Sequence, residues 1–428
     1  MKLWLVTIGE PVPVEEECQE RLHRTGRLAT LAAQSGHHVT WWTSTFDHIK
    51  KKHWFAGDTE IQRAPGLEIR LLHGCGYRSN VSLARFRDHR QIAAKFAVTA
   101  RQAPEKPDVI LCALPTIELC VEAVRFGREF SVPVVLDMRD MWPDIFVDTS
   151  PWFARPLARM LLKPLFQQVK SACAQATAIT GITDSFVKWG LNHGERPKSR
   201  LDESFAMGYI NEPPSAVQLS EAEAFWDRLG LTGHGDQWIV CFFGTLGRQF
   251  DLDTVLQAAR RLQGEGSPIR FVLCGQGDRL ELYKRKTKGL SNVVFPGWVN
   301  AAAIHVLMRR SALGLDPLPN RYDFLATINN KAIEYLSAGL PIVSSPTQGV
   351  LAELLAEQQC GVSYENGQAN ELAALLTDLN RNPAQIKEMS VRAAKLFQTQ
   401  FTAEKVYAEM LMHLESLSRS QMAHQGAA

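Results

Sequence analysis

The sequence predicts an α/β protein of two doubly wound, parallel-sheet domains that face each other across a central cleft. Three observations predict it. Short β-rich apolar runs alternate with longer segments of helical period, the alternation occurs twice along 428 residues, and a polar stretch separates the two halves. A single hydrophobic core rarely grows beyond about 250–300 residues, so two domains of roughly 200 are expected.

In the first half the candidate strands are Leu3–Ile8, His38–Thr43, Glu68–Leu72, Val109–Ala113, Val132–Asp137 and Ala178–Thr180. Between the first two, Arg21–Ser35 carries Leu22, Leu28, Ala29, Leu31 and Ala32 at helical spacing and ends on Ser35-Gly36. Strand, helix and strand of these lengths form a βαβ unit, which implies a parallel sheet. The second half repeats the alternation. Its strands are Trp238–Phe243, Ile269–Cys274, Val293–Phe295, Leu313–Leu315 and Ile342–Ser344, and its helices Asp253–Leu262, Ala302–Arg310, Lys331–Ala338 and Leu351–Gln358.

Residues 191–220 are polar and rich in Pro, Gly and Ser, and the boundary is placed near Met207–Asn211. The Rossmann-like domains are therefore 1–208 and 209–402. Doubly wound sheets bind ligands at the C-terminal edges of their strands. Residues 403–428 form a further segment: Ala403–Ser418 has helical period and can pack back on the N-terminal domain, and a disordered tail is expected from Arg419.

Composition excludes several classes. A net charge of +2 with 21% charged residues lacks the basic bias of nucleic-acid-binding domains. The eight cysteines, Cys18 among them, form no Cys-x-x-Cys pair, and no histidine cluster has zinc-ligand spacing. They fit a reducing cytosol. The apolar start, Met1–Gly9, is too short for a signal sequence and reads as a buried strand. No run approaches the roughly 18 apolar residues of a membrane span. No Gly-x-Gly-x-x-Gly follows the first strand, which argues against an NAD-dependent dehydrogenase.

The most informative segment is Asn329–Ser344, where a polar loop enters a helix, Gly339-Leu340-Pro341 ends it, and a buried strand follows. A helix N-terminus presents free N–H groups and a positive dipole, which suits a diphosphate. Lys331 adds charge in the first turn, and Glu334, one turn on, can accept the two hydroxyls of a ribose. The plainer alternative makes Asn330 a cap and Glu334 a solvated charge. With its flanks, the segment resembles the nucleotide-binding signature of the retaining GT-B glycosyltransferases of the large group called family four. The subgroup with Lys and Glu-Tyr in this helix includes enzymes that build bacterial surface polysaccharides.

Other segments carry the same resemblance. Phe242–Arg248 followed by Phe250–Asp253 resembles the family's strand, glycine loop, basic residue and helix, with Gly244 letting the main chain approach phosphate and Arg248 able to bind two phosphate oxygens. Cys274–Asp278 contains a Gly-x-Gly turn. Gly297, Trp298 and Val299 resemble the segment that faces the nucleobase, although Trp298 can equally be ordinary packing. Val132–Asp144 resembles the strand that ends in His-Asp before an aromatic-Pro pair. Arg139 stands in place of the histidine and Asp140 matches the aspartate, so both are implied to face the reacting sugar; the alternative is a buried Arg139–Asp140 ion pair. Two features depart from the family. Ala326 stands where many relatives carry a second glutamate, and the first loop, Gly9 and Glu10 followed by Pro11, lacks a Gly-Gly pair. Proline removes N–H donors, so this loop is read as shaping the acceptor.

The resemblance implies a hexosyltransferase that moves a hexosyl or N-acetylhexosaminyl unit from a UDP- or GDP-linked sugar to a glycan or lipid-linked glycan acceptor. The nucleotide sugar is a co-substrate. No other cofactor and no metal is implied, since no Asp-x-Asp motif is suited to metal-assisted donor binding. Rival readings are a nucleotide-sugar 2-epimerase of the same fold and a non-catalytic partner subunit. Phe153–Lys170 mixes Arg155, Arg159, Lys163 and Lys170 with Leu, Met and Phe. This basic amphipathic stretch is either a core-packed helix with a solvated face or a contact with anionic membrane, so the expected place is cytoplasmic and able to be peripheral at the inner membrane face.

Overall fold

The computed structural model of the chain describes residues 1–14, 22–80, 82–232 and 237–425. Cys18, the expected helix start at Arg21 and tail residues 426–428 lie outside them. Strands of the first half are β1 (Lys2–Val6), β2 (His38–Ser44), β3 (Phe46–Asp47), β4 (Lys52–His53), β5 (Thr59–Ala64), β6 (Leu67–Leu72), β7 (Val109–Ala113), β8 (Val134–Met138), β9 (Ala178–Gly181) and β10 (Glu203–Ser204). Helices there are α1 (Arg24–Gln34), α2 (Leu83–Gln102), α3 (Ile117–Phe130), α4 (Asp144–Asp148), α5 (Arg155–Leu161), α6 (Lys163–Gln175) and α7 (Asp184–Gly194). The eight-stranded sheet has the order β10-β9-β8-β7-β1-β2-β6-β5. It is parallel except at its edge, where β5 runs antiparallel to β6.

The second half contributes β11 (Trp238–Phe243), β12 (Ile269–Cys274), β13 (Val293–Gly297), β14 (Leu313–Pro317), β15 (Ile342–Ser345) and β16 (Gly361–Ser363). Its helices are α8 (Ala216–Arg228), α9 (Leu252–Gly264), α10 (Leu280–Lys286), α11 (Ala301–Arg310), α12 (Tyr322–Leu325), α13 (Asn330–Ser337), α14 (Val350–Gln358), α15 (Ala369–Asn380) and α16 (Pro383–Gln400). The wholly parallel six-stranded sheet has the order β13-β12-β11-β14-β15-β16. Both orders reverse direction beside the first strand, which marks a doubly wound sheet.

The chain packs as two compact units, one formed by 1–208 together with 403–428 and the other by 209–402. Helix α17 (Ala403–Gln425) therefore belongs with the first half, burying Val406, Tyr407, Met410, Leu411, Leu414 and Leu417. Gly208 permits the junction, because a Cβ there would lie 2.8 Å from the Ala403 Cα.

Several sequence expectations need correction. The expected disordered tail is helical as far as Gln425, with Arg419 paired to Glu415 one turn back at 2.8 Å. The polar stretch 191–220 is shorter, since α7 runs to Gly194 and α8 starts at Ala216 behind a Ser215–Gln218 capping box. Leu3–Ile8 leaves the sheet after Val6. The small strands β3 to β5 are not legible in the sequence, because they alternate polar and apolar residues only weakly.

Leu414 has no solvent exposure. Leu414→Ala is expected to cost about 2–5 kcal/mol through the cavity it leaves. The effect should read as faster amide exchange confined to residues 1–208 and 403–425. An equal loss of protection in 209–402 would contradict this assignment of α17.

Candidate functional site

In the C-terminal unit, the loops after β11, β12 and β13 are joined main chain to main chain. The N–H of Gly244 donates to Cys274 O (3.1 Å), that of Gly275 to Gly297 O (2.7 Å), and that of Leu246 to Gln276 O (2.9 Å). Only glycine allows this spacing: a Cβ on Gly275 would lie 1.8 Å from the Gly244 carbonyl oxygen, and one on Gly277 2.3 Å from that of Leu246. Arg248, in the first of these loops, is exposed and has no hydrogen-bond or ion-pair partner among the described residues. Trp298, just past Gly297, is 69% exposed. Ordinary packing would have buried this ring, so that alternative is set aside. Val299 is half-buried beside it.

Helix α13 meets the same shelf. Its cap is Asn329, not Asn330: the Asn329 side chain accepts from Ala332 N–H (3.0 Å), and exposed Asn330 is the first helical residue. The same Asn329 amide donates to Asp316 Oδ2 (2.5 Å) at the end of β14, and this second bond fixes which asparagine caps. Tyr335 sets the helix height. Its ring lies on Gly314, where a Cβ would come within 2.4 Å, and its hydroxyl donates to the Leu315 (3.1 Å) and Cys241 (3.2 Å) carbonyls. The tyrosine of the Glu-Tyr pair thus docks the helix, while half-buried Glu334 sits at its side.

Lys331 lies near Gly244, with its Cδ 3.7 Å from where a Cβ would stand. The ammonium rests over the Phe250 ring, 4.1 Å from the centroid. Burial pulls the Lys331 pKa down, and the Asp316 and Glu334 carboxylates oppose that shift. Burial likewise pushes Asp316 up, against Lys331 and the Asn329 bond. Asp316 Oδ1 is buried and accepts no hydrogen bond among the described residues. Sequence reasoning missed Asp316; its signal was a lone carboxylate ending the apolar run Leu313–Pro317. Ala326 is buried at the C-terminal cap of α12.

Asp251-Leu252-Asp253 has the spacing of two metal ligands, but both carboxylates are occupied. Asp251 caps α9 by accepting from Thr254 N–H (3.3 Å) and also accepts from Gly367 N–H (3.1 Å). Asp253 pairs with Lys286 at 2.6 Å.

The N-terminal unit gathers its charges at the ends of β1 and β8. Arg24 is 1% exposed and grips Asp137 with Nε (2.9 Å) and Nη2 (3.1 Å), while its Nη1 donates to the Phe205 and Ala206 carbonyls. Asp137 accepts further bonds from Thr180 (2.9 Å) and Arg139 Nε (2.5 Å). Burial alone would raise the Asp137 pKa; Arg24 and Arg139 overcome it and hold the carboxyl far below its usual range. Arg139 Nη1 donates to Glu10 and to Thr25 Oγ1 (2.9 Å). The alternative of an Arg139–Asp140 pair therefore gives way to Arg139–Asp137 and Arg139–Glu10. Alternation in an extended chain puts residues 137 and 139 on one side, and Asp140 accepts from Met141 N–H at 2.7 Å.

Glu10 also takes the start of α1, accepting from Thr25 N–H (3.0 Å) and Thr25 Oγ1 (2.7 Å). Gly9 is exposed at φ +86° and delivers that turn. A second group was not foreseen. The Arg85 guanidinium lies over Trp142 (4.4 Å) and Tyr77 (5.6 Å), with Asp140 and Asp88 among its charge partners. Nearby, burial pushes His48 down to about 4 and His89 to about 3, so both are neutral at physiological pH.

Residues 237–382 match the family described as Glycosyl transferases group 1. The chain carries a glycosyltransferase domain. The matched span holds every element of the shelf around Gly244, Trp298, Lys331 and Glu334. No curated protein matches the chain in sequence. Among solved structures, sucrose-phosphate synthase from Thermosynechococcus elongatus is similar with a TM-score of 0.69 at 16% identity, covering 99% of each chain. Anabaena HepE in complex with UDP and glucose gives 0.66 at 15%, over 97% of this chain and 100% of that one. The catalytic domain of starch synthase IV from Arabidopsis thaliana, bound to ADP and acarbose, gives 0.67 at 12%, over 98% and 99%. Likeness at these identities shows the fold, which is GT-B, and the segment that matches the family, 237–382, lies within the second unit.

Two outcomes test the geometry. Asp137→Asn leaves Arg24 buried beside a neutral partner, and should cost about 3–5 kcal/mol at pH 7. A depressed carboxylate stabilises above its unfolded pKa of about 4, so the gap between variant and parent should narrow as pH falls below that value. Urea unfolding at several pH values reads it, and a pH-independent gap would contradict it. Gly275→Ala should abolish nucleotide binding or lower stability by several kcal/mol, since backbone must move and its φ is +136°. Gly297→Ala meets nothing within 4 Å and should cost only about 1–2 kcal/mol. Equal losses in thermal unfolding would count against the joined loops.

Proposed function

We propose that the protein is a retaining glycosyltransferase that moves a hexosyl or N-acetylhexosaminyl unit from a UDP- or GDP-sugar to a hydroxyl of a glycan or lipid-linked glycan acceptor, in surface polysaccharide synthesis. The observation that carries this reading is the start of α13. Lys331, in the first turn of this capped helix, stands beside Gly244 in the loop after β11, with Glu334 one turn on, all within the segment that matches the group 1 family. Support for a UDP donor comes from Anabaena HepE, solved with UDP and with UDP-glucose, and from the UDP-forming trehalose-phosphate synthase of Burkholderia xenovorans.

The chemical demand is to stabilise the departing diphosphate while the sugar carbon becomes cationic. Amides at the α13 start and Lys331 meet the diphosphate, and exposed Arg248 can take two more phosphate oxygens. Bound phosphate would also raise the Lys331 pKa again, since a nearby anion opposes the effect of burial. No metal is required in this scheme. Glu334 grips the ribose, and the main chain of Gly297, Trp298 and Val299 faces the base. On the acceptor side, Asp140 faces the reacting sugar or acceptor. Arg139 is a positioning residue, because Asp137, Thr25 and Glu10 already hold its Nε and Nη1. The described cysteines are all unpaired thiols, which supports a cytoplasmic enzyme.

Lys331→Ala and Glu334→Ala should each weaken UDP or GDP binding about tenfold to a hundredfold, on the scale of one lost charged hydrogen bond, with the fold intact by circular dichroism. Calorimetry measures it. Unchanged affinity for both nucleotides in both variants would sink the site, and inversion at the transferred anomeric carbon would sink the retaining chemistry.

A further inference from the structure

Most of the N-terminal unit hides its apolar side chains, but the segment after α4 does the opposite. Trp152 is 80% exposed, Phe153 70%, Leu157 55%, Met160 63% and Leu161 68%. Helix α5 has no buried residue at all. A seven-residue helix with no packed face is marginal in water. The core-packed alternative holds one helix later, in α6, where Leu165, Val169, Ala172 and Cys173 are buried. It does not hold for α5.

Charge on this surface has a single sign. Arg155, Arg159 and Lys163 are exposed among the apolar residues, and none pairs with a carboxylate among the described residues. The sequence contains no Asp or Glu between Asp148 and Asp184. Arg155 donates to the Asp148 carbonyl (3.2 Å), and Arg159 lies over the Phe166 ring (5.6 Å).

We propose that Trp152–Lys163 docks on an anionic phospholipid bilayer. Protein interfaces exclude charge from their apolar centres, whereas here cations alternate with large apolar residues along one short stretch. A headgroup layer accepts that mixture: Trp and Phe settle at the acyl boundary while Arg and Lys reach anionic phosphate. The surface begins 12 residues after Asp140, just past α4 in the same connection from β8. Resting on the transferase reading for this consequence alone, it brings a lipid-linked acceptor to the acceptor-side residues.

The test is flotation of the full chain, without nucleotide, on vesicles of phosphatidylcholine alone and of phosphatidylcholine with phosphatidylglycerol. Binding is expected only to the anionic vesicles and should weaken with added salt. The triple change Arg155→Gln, Arg159→Gln and Lys163→Gln should lower vesicle affinity about 100-fold, each cation near the surface accounting for roughly a factor of five. Trp152→Ser with Phe153→Ser should also lower it, without altering nucleotide affinity. Equal binding to neutral vesicles, or no effect of the triple change, would overturn the proposal. So would a dimer in light scattering that the Trp152→Ser, Phe153→Ser variant abolishes without any vesicle binding. UDP affinity in the same variants separates a failure here from a failure of the transferase reading.

Discussion

The C-terminal unit depends on one close approach, the Gly275 main chain against the Gly244 carbonyl. The two strand ends cannot come that near if residue 275 carries a side chain. Once they do, the third loop follows through the Gly275–Gly297 bond. Neighbouring amides and carbonyls then line a shelf whose closest approaches only glycine permits. The side chains with chemistry enter from its rim: Lys331 beside Gly244, Arg248 four residues along, and Trp298 after Gly297. None of them shapes the shelf. Their substitution should therefore affect binding without affecting the fold, whereas the glycines govern both.

The N-terminal unit solves the same corner of a doubly wound sheet with charge. Arg24, Asp137, Arg139, Glu10, Thr25 and Thr180 form one connected network, in which Arg24 donates to both oxygens of Asp137 and to two main-chain carbonyls. A buried network of this kind is favourable only when nearly complete. It also closes the α1 start to outside anions, since Glu10 already accepts there. The two halves thus share a fold while using their strand ends differently.

Much of this was legible in the sequence. Strands such as Val109–Ala113, Trp238–Phe243 and Ile269–Cys274 agree residue for residue, because wholly buried parallel strands are continuous apolar runs bounded by polar residues. The helix and turn that carry Lys331, Glu334 and Gly339-Leu340-Pro341 were legible because these residues are close in sequence. What was not legible depended on distance. Asp137 finds Arg24 113 residues away, and Asp316 finds Asn329 across a loop, so neither local spacing nor charge count reveals the partner. The choice between Asn329 and Asn330 as cap turned on that same bond. Trp298 and the Trp152–Leu161 segment were ambiguous in sequence because an apolar letter does not say whether anything covers it.

The first unit is assembled from two separated pieces of chain, and the second from one. During synthesis 209–402 becomes complete while the first sheet still lacks α17. Helix α1 and strand β7, which pack against α17, must then wait, partly uncovered, for it to arrive. The order in which the ribosome delivers the chain therefore makes 209–402 the earlier folding unit. The unit that carries the Arg24–Asp137 network is also the one that a prematurely stopped chain leaves unfinished.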